Sequence, residues 1–231
     1  MESGRLAVVA TAVSFLAVGG AHATTSPKIF RLWANPNGPY AYGSTTTLGG
    51  VLSIYANSAT YPVAETWGGG AGGGIPNVFH NYNAFESTDG STTLRPGQLA
   101  FHPSFGDLHS VIRFTVPATG LYEIDAAYEG TSNAGTTSSV FIVMNSNGGS
   151  PLFTGNVNGF RAGGPSYDSP TLTLTTGDTI DFVVSMSNGD PFSDSTGIDA
   201  TITYLPEPGI GALFASGLFI VGLRLRAPAR G

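Results

Sequence analysis

An all-β fold, a single antiparallel β-sandwich between residues 24 and 205, is what this sequence predicts, and three observations predict it. Apolar residues recur in steps of two over several short stretches. Gly and Pro, 33 and 15 of 231 residues, separate those stretches. The intervening stretches are rich in Thr, Ser, Val and Ile, residues that suit a pleated, half-buried surface, and none of them is a long helix.

Taken in order, the first candidate strands lie at 29–33, 48–55, 77–80 and 98–101. The clearest unit spans 110–128. There Ile112, Phe114 and Val116 alternate with Val111, Arg113 and Thr115, and Pro117-Ala118-Thr119-Gly120 makes a turn. Beyond it Tyr122, Ile124, Ala126 and Tyr128 alternate with Leu121, Glu123 and Asp125. Period-two patterning on both sides of a Pro/Gly turn reads as a hairpin, with Arg113 opposite Glu123 or Asp125 as a cross-strand charge pair. The run Val140-Phe141-Ile142-Val143-Met144 is apolar throughout, which predicts a central strand covered on both faces. Leu172 and Leu174 alternate with threonines, Thr176-Gly177-Asp178 turns, and Ile180, Phe182, Val184 and Met186 follow. The last strand points Ile198, Ala200 and Ile202 inward against Asp199, Thr201 and Thr203. Two packed antiparallel sheets of eight to eleven strands accommodate this pattern. The glycine-rich run at 68–74 cannot be a strand interior, and no Lys-Ser/Thr or helix follows it, so it predicts a loop without a nucleotide site.

The two ends read differently. Arg5, the apolar run at 6–18, Gly19-Gly20 and Ala21-His22-Ala23 follow the order of a secretory signal peptide, with Ala23 the last residue before cleavage. At the other end come Pro206-Glu207-Pro208, an uncharged apolar run at 209–223, and then Arg224, Arg226 and Arg230. Basic residues stay on the cytoplasmic side, so this run is expected as a short transmembrane helix with its C-terminus inside. Fifteen helical residues reach roughly 22 Å, short of the roughly 30 Å hydrocarbon core, which suits a temporary anchor. The domains expected are therefore 1–23, 24–205 and 206–231.

Between the ends, five basic residues face thirteen acidic ones, a formal charge of −8. Nucleic acid is excluded as a partner, because phosphate contacts require a basic face. The chain has no cysteine, so neither a thiolate nucleophile nor a disulfide contributes to it.

The order Pro-Glu-Pro, short apolar span and arginines at 206–231 resembles the PEP-CTERM sorting signal of Gram-negative and related bacteria. The resemblance implies export by the Sec machinery, recognition by the membrane-embedded peptidase exosortase, and an inner-membrane intermediate released to the cell surface or extracellular matrix. The arginines here are spread as Arg-Leu-Arg-Ala-Pro-Ala-Arg where the family has them consecutive. Asn35-Pro36-Asn37-Gly38-Pro39-Tyr40-Ala41-Tyr42-Gly43, His102-Pro103, Ser110-Val111-Ile112-Arg113-Phe114, Thr119-Gly120-Leu121-Tyr122 and the stretch Asp194-Ser195-Thr196-Gly197-Ile198-Asp199 are similar to the jelly-roll domain of many such proteins. That similarity implies a jelly-roll-like sandwich and assigns no reaction.

Candidate sites are few. Tyr40, Tyr42, Tyr55, Tyr61, Trp67, Phe79, Tyr82 and Phe85 crowd the N-terminal half among Asn and Gly. Most are expected in the core, but Tyr40, Tyr42, Trp67 and Tyr82 are the candidates for stacking on sugar rings. Asn188, Asp190, Asp194 and Asp199 are an oxygen-rich stretch that could close around Ca²⁺ at the rim of a sandwich, or simply cap turns; no other cofactor is implied. His102, before Pro103, is expected at a strand end with its imidazole hydrogen-bonded to a loop carbonyl. Glu65, Glu86 and Asp89 are the acids near the aromatic cluster, without a spacing that makes them a catalytic pair, and no Gly-x-Ser-x-Gly elbow is present. The function expected is that of a non-enzymatic structural or adhesive component of an exopolysaccharide matrix, with a carbohydrate-binding module as the alternative.

Overall fold

The computed structural model describes residues 23–25, 34–68, 76–145 and 150–205. The expected signal segment before Ala23, the strand at 29–33, most of the glycine run and the tail from residue 206 lie outside them. In chain order the strands are β1 (Ala23–Thr25), β2 (Tyr40–Thr45), β3 (Ser53–Ile54), β4 (Ser58–Thr60), β5 (Glu65–Gly68) and β6 (Asn77–His80). They continue with β7 (Ser87–Asp89), β8 (Thr92–Leu94), β9 (Leu99–His102), β10 (His109–Thr115), β11 (Gly120–Gly130) and β12 (Thr137–Met144). The last five are β13 (Phe153–Asn158), β14 (Gly163–Asp168), β15 (Leu172–Leu174), β16 (Thr179–Met186) and β17 (Thr196–Leu205).

They form an antiparallel sandwich. The larger sheet runs β14-β11-β17-β9-β6-β5-β4, with β1 beside β17 and β15 beside β11. The smaller runs β13-β12-β16-β10-β2-β3, and β7 and β8 make a separate hairpin. Alternation delivers one face of each sheet to a shared core. Trp67, Val78, Phe101, Ile124, Tyr128 and Ile202 come from the larger sheet, and Tyr42, Ile112, Phe114, Ile142, Phe182 and Val184 from the smaller. Each fully buried side chain of this size contributes roughly 1.5–3 kcal/mol. The inward sets expected for the last strand and for Ile180, Phe182 and Val184 are observed.

Residues 110–128 correct one expectation. Strand β10 pairs with β2 and β16, whereas β11 pairs with β14, β15 and β17, so the Pro117–Gly120 turn crosses from one sheet to the other and makes no hairpin. Period-two alternation reports which face is buried, and that face is the same for strands packed across a core as for strands paired edge to edge. Arg113 accordingly stands opposite Asp181, not Glu123 or Asp125.

That pair lies on the outer face of the smaller sheet, under a flap formed by residues 46–52. Arg113 Nε and Nη2 donate to Asp181 Oδ1 and Oδ2 at 2.6 and 2.7 Å, a bidentate fork with Asp181 fully buried. Leu48 and Leu52 of the flap pack on Val111, Val143 and Val183 beside it. The run around Val143 is thus covered on both faces, as its unbroken apolarity predicts, with a loop as its outer cover. The strand expected at 48–55 shrinks to β3 because the residues before it serve as this cover.

Candidate functional site

The outer face of the larger sheet carries a cleft of about 330 Å³. Its floor comes from the side chains of β5, β6 and β9 that point away from the core. Trp67, Val78 and Phe101 are cross-strand neighbours facing inward, so Thr66, Phe79 and Ala100, one residue along each strand, face outward. Phe79 and Ala100 join Ala64 and Leu94 in a small apolar cluster of their own. The β7–β8 hairpin stands over this floor and presents Ser87, Asp89, Ser91 and Thr92 to the cleft.

Hydrogen bonds at both ends hold the hairpin there. Asn81, fully buried, places Nδ2 at 2.9, 3.1 and 3.0 Å from the carbonyls of Phe85, Leu94 and Arg95, while its Oδ1 accepts from Asn83 N and Ser87 Oγ. One amide therefore fastens both feet of the hairpin to the end of β6. At the other side Thr93 N donates to Thr131 O, Asn133 N to Ser91 O, and Ser132 Oγ to Ser91 Oγ. A hydroxyl pair, Thr92 Oγ1 and Ser195 Oγ at 3.1 Å, ties the hairpin to the segment entering β17.

His102 closes one wall. Its Nδ1 lies 2.6 Å from Pro103 O, the loop-carbonyl bond expected from sequence. A carbonyl only accepts, which places the ring proton on Nδ1, and burial lowers the imidazole pKa. The ring is therefore neutral near pH 7, and Nε2 carries a lone pair. At the rim Phe192 is 56% exposed and meets Phe105, 49% exposed, edge to face at 5.5 Å between centroids.

The aromatic candidates divide sharply. Tyr40, Tyr42 and Trp67 are buried in the core, which corrects their assignment as stacking platforms. Inward-facing positions of β2 and β5 took them, and composition alone gives no face. Tyr82 is exposed and donates its hydroxyl to Tyr61 O at 3.0 Å, outside the cleft lining. Of the same aromatic cluster, Tyr61 and Phe79 do line the cleft. Phe192 and Asn81 were missed. The available signal for Phe192 was a large ring in the turn sequence Asn-Gly-Asp-Pro-Phe, where no strand period assigns it to a core. Of the three acids, Glu65 pairs with His80 and Glu86 with Arg161, leaving Asp89 as the carboxylate at the cleft.

The acidic stretch behaves mainly as turns. Asn188 Oδ1 accepts from Asp190 N, and Asp190 Oδ1 from Phe192 N. Asp199 lies on the outer face of β17, lining a different groove. Among the described residues no group of three or more His, Asp or Glu side chains is placed to hold a metal ion. Asp194 is fully buried; its Oδ1 accepts from Thr137 N and Oγ1 at 2.9 and 3.0 Å, and its Oδ2 has no protein partner.

Burial pushes the Asp194 carboxyl from 3.8 up to about 6, against the two Thr137 donors. A raised carboxyl binds its proton more tightly folded than unfolded, so the cost of ionising it is absent below about pH 4, grows between pH 4 and 6, and is complete above. That displacement corresponds to about 3 kcal/mol. Urea unfolding at pH 7.5 and 4.5 is expected to show wild type gaining about 2 kcal/mol of this on acidification relative to Asp194→Asn, which keeps the Oδ1 acceptor and cannot titrate. Parallel pH dependences for the two proteins would contradict the assignment.

Fold and cleft together define a class: an antiparallel β-sandwich carrying, on the outer face of its larger sheet, a cleft with an apolar floor, hydroxyl-rich walls and an aromatic rim. No protein-family model and no curated protein matches the sequence. Among solved structures, the chain is similar to a family 51 carbohydrate-binding module from Clostridium perfringens in complex with methyl-galactose. Identity there is 11%, over 70% of this chain and 99% of that one, with a TM-score of 0.35. A family 61 module in complex with β-1,4-galactotriose gives 14%, 56%, 82% and 0.32 for the same quantities. A family 35 module from Clostridium thermocellum gives 14%, 52%, 87% and 0.30.

Proposed function

We propose that the chain is an exported carbohydrate-binding protein that holds a neutral glycan in the cleft beneath the β7–β8 hairpin, and thereby serves as an adhesive component of an extracellular polysaccharide matrix. The make-up of the cleft carries this reading. A sugar ring has an apolar C–H face and an equatorial belt of hydroxyls. The floor of Phe79, Ala64 and Leu94 and the rim ring of Phe192 suit the first. The hydroxyls of Ser91, Thr92 and Ser195 suit the second, while Ser87, whose proton goes to Asn81 Oδ1, offers only an acceptor. About 330 Å³ lies at the lower end of the range for small-molecule sites, room for one or two sugar units. Among the described residues no Lys or Arg lines the cleft, so an anionic glycan would meet Asp89 without compensation from them.

Binding without hydrolysis fits the same lining. Hydrolysis by paired carboxylates needs two acids about 5–9 Å apart across the scissile bond, and among the described lining residues Asp89 has no acidic companion. The export route and the surface destination rest on the two ends of the sequence: the signal-peptide order through Ala23, and the Pro206-Glu207-Pro208 tag with its arginines, the exosortase-type signal.

The test uses protein isolated from its native host. Its mass is expected to place the N-terminus at Thr24 and the C-terminus near residues 206–208. The same material is then exposed to an array of neutral and acidic oligosaccharides and the host's own exopolysaccharide. Retention on neutral glycans, little weakened by salt and with the bound glycan recovered intact, is the expected outcome. Retention on none of them, or on acidic glycans alone, would overturn the glycan reading. A surface pool still intact through Gly231 would overturn the processing of the tail and leave the glycan reading standing.

A further inference from the structure

A second groove, of about 320 Å³, lies on the same outer face of the larger sheet and shares no lining residue with the cleft. Its wall is built by the turn that follows β8. Arg95 N donates to Gln98 Oε1 at 2.8 Å, and Gly97 supplies the positive φ of 68° that reverses the chain between them. Gln98 Nε2 then donates to Glu129 Oε1 at 2.6 Å, and Arg95 Nη2 reaches Glu129 Oε2 at 2.9 Å. Both oxygens of one carboxylate and both ends of one amide are thus fixed. Gly197 makes this possible, because a Cβ there would fall 2.4 Å from Gln98 Nε2; without it the amide lies flat against β17. Ala127 and, opposite it across β11 and β17, Asp199 continue the groove.

A salt bridge on a strand surface needs none of this to be stable, and most exposed pairs contribute little. The unusual features are the preorganisation of the array and the concavity beside it. The Arg95 side chain remains 53% exposed, so guanidinium N–H groups not directed at Glu129 face solvent at the groove. Among the described lining residues the one aromatic, Tyr128, turns its ring into the core. A ligand here is held by hydrogen bonds alone. Arg95 is paired with Glu129, and Asp199 adds a second carboxylate to the lining, so an anion drawn to Arg95 is opposed by both carboxylates. A hydroxyl, which donates and accepts, satisfies all of them.

We propose that this groove is a second binding site for neutral, hydroxyl-rich saccharide, independent of the cleft, which makes the protein bivalent and able to bridge two glycan segments. The site asks nothing of the cleft, and its test separates the two. The full chain, isotope-labelled and kept in a detergent without a sugar headgroup, is titrated to about 50 mM with D-glucose, D-galactose, D-mannose and N-acetylglucosamine, with D-galacturonate as the acidic comparator. The amide signals of Gly97 and Gly197 and the side-chain amide of Gln98 report on the groove. At least one neutral sugar is expected to shift them saturably, with galacturonate at least tenfold weaker. Phe192→Ala is expected to leave this titration unchanged, whereas Gln98→Ala weakens it tenfold or more and Arg95→Gln, at a more exposed position, does the same. No saturable shift with any neutral sugar, equal binding of galacturonate, or loss of the groove shifts in Phe192→Ala would overturn the proposal.

Discussion

Replacing Asp181 with alanine is expected to lower the free energy of unfolding by about 3–5 kcal/mol. The argument is one of asymmetry. Asp181 is fully buried and accepts two charge-assisted hydrogen bonds from Arg113 at 2.6 and 2.7 Å. Its removal leaves a guanidinium with a side chain only 16% exposed, between β16 and the flap, without its counter-charge. Removing both charges is different. Arg113→Met with Asp181→Leu restores apolar contacts beside Val111, Val143 and Val183 and is expected to fall within about 1–2 kcal/mol of wild type, or above it, because the pair's attraction largely offsets its desolvation. Equilibrium urea unfolding of the two variants separates the cases. An alanine variant within 1 kcal/mol of wild type would show that the flap opens easily and that the pair is effectively in water.

Phe192→Ala is expected to weaken glycan affinity by about tenfold or more, equivalent to about 1.4 kcal/mol, while moving unfolding stability by less than about 1 kcal/mol. The ring projects from a loop at the cleft mouth and touches Phe105 edge to face, so its removal costs one aromatic contact and little buried area. Tyr82→Ala is the matched control: a similarly exposed ring, tied to Tyr61 O and outside the cleft lining. Surface plasmon resonance on immobilised polysaccharide reads both. Loss in Tyr82→Ala with full binding by Phe192→Ala would place the glycan over the Tyr61–Tyr82 surface instead.

Much of the fold was legible because burial of one strand face writes itself into sequence as alternation. Ile180, Phe182 and Val184, and Ile198, Ala200 and Ile202, turned inward as their spacing required. Strand partners were not legible, since Arg113 alternates identically whether its neighbour is Asp125 or Asp181. The cleft was less legible still. Its floor is built on Phe79, whose outward position, like that of Ala100 packed beside it, follows only from the register of β6 and β9, and its walls come from a hairpin that Asn81 positions through three backbone carbonyls. Asn81 looks like any polar loop residue in sequence. His102 was readable because a Pro after it ends the strand and presents a carbonyl within reach. The groove was unreadable, because it depends on Gly197 lying beneath Gln98, 99 positions apart in the chain.

The place of β17 in the larger sheet has a consequence for the order in which the domain can be completed. This strand lies between β11 and β9, takes ten register partners from β11, and also pairs with β1. It is also the last strand of the domain in sequence, ending at Leu205. A chain emerging N-terminus first from the ribosome therefore lacks the strand that joins β11 to β9 until nearly all of the domain has been made. Until then the β11 edge has no partner on that side and the two halves of the sheet stay separate. Premature closure of the sheet is disfavoured by topology, and completion of the sandwich is coupled to completion of the domain's synthesis.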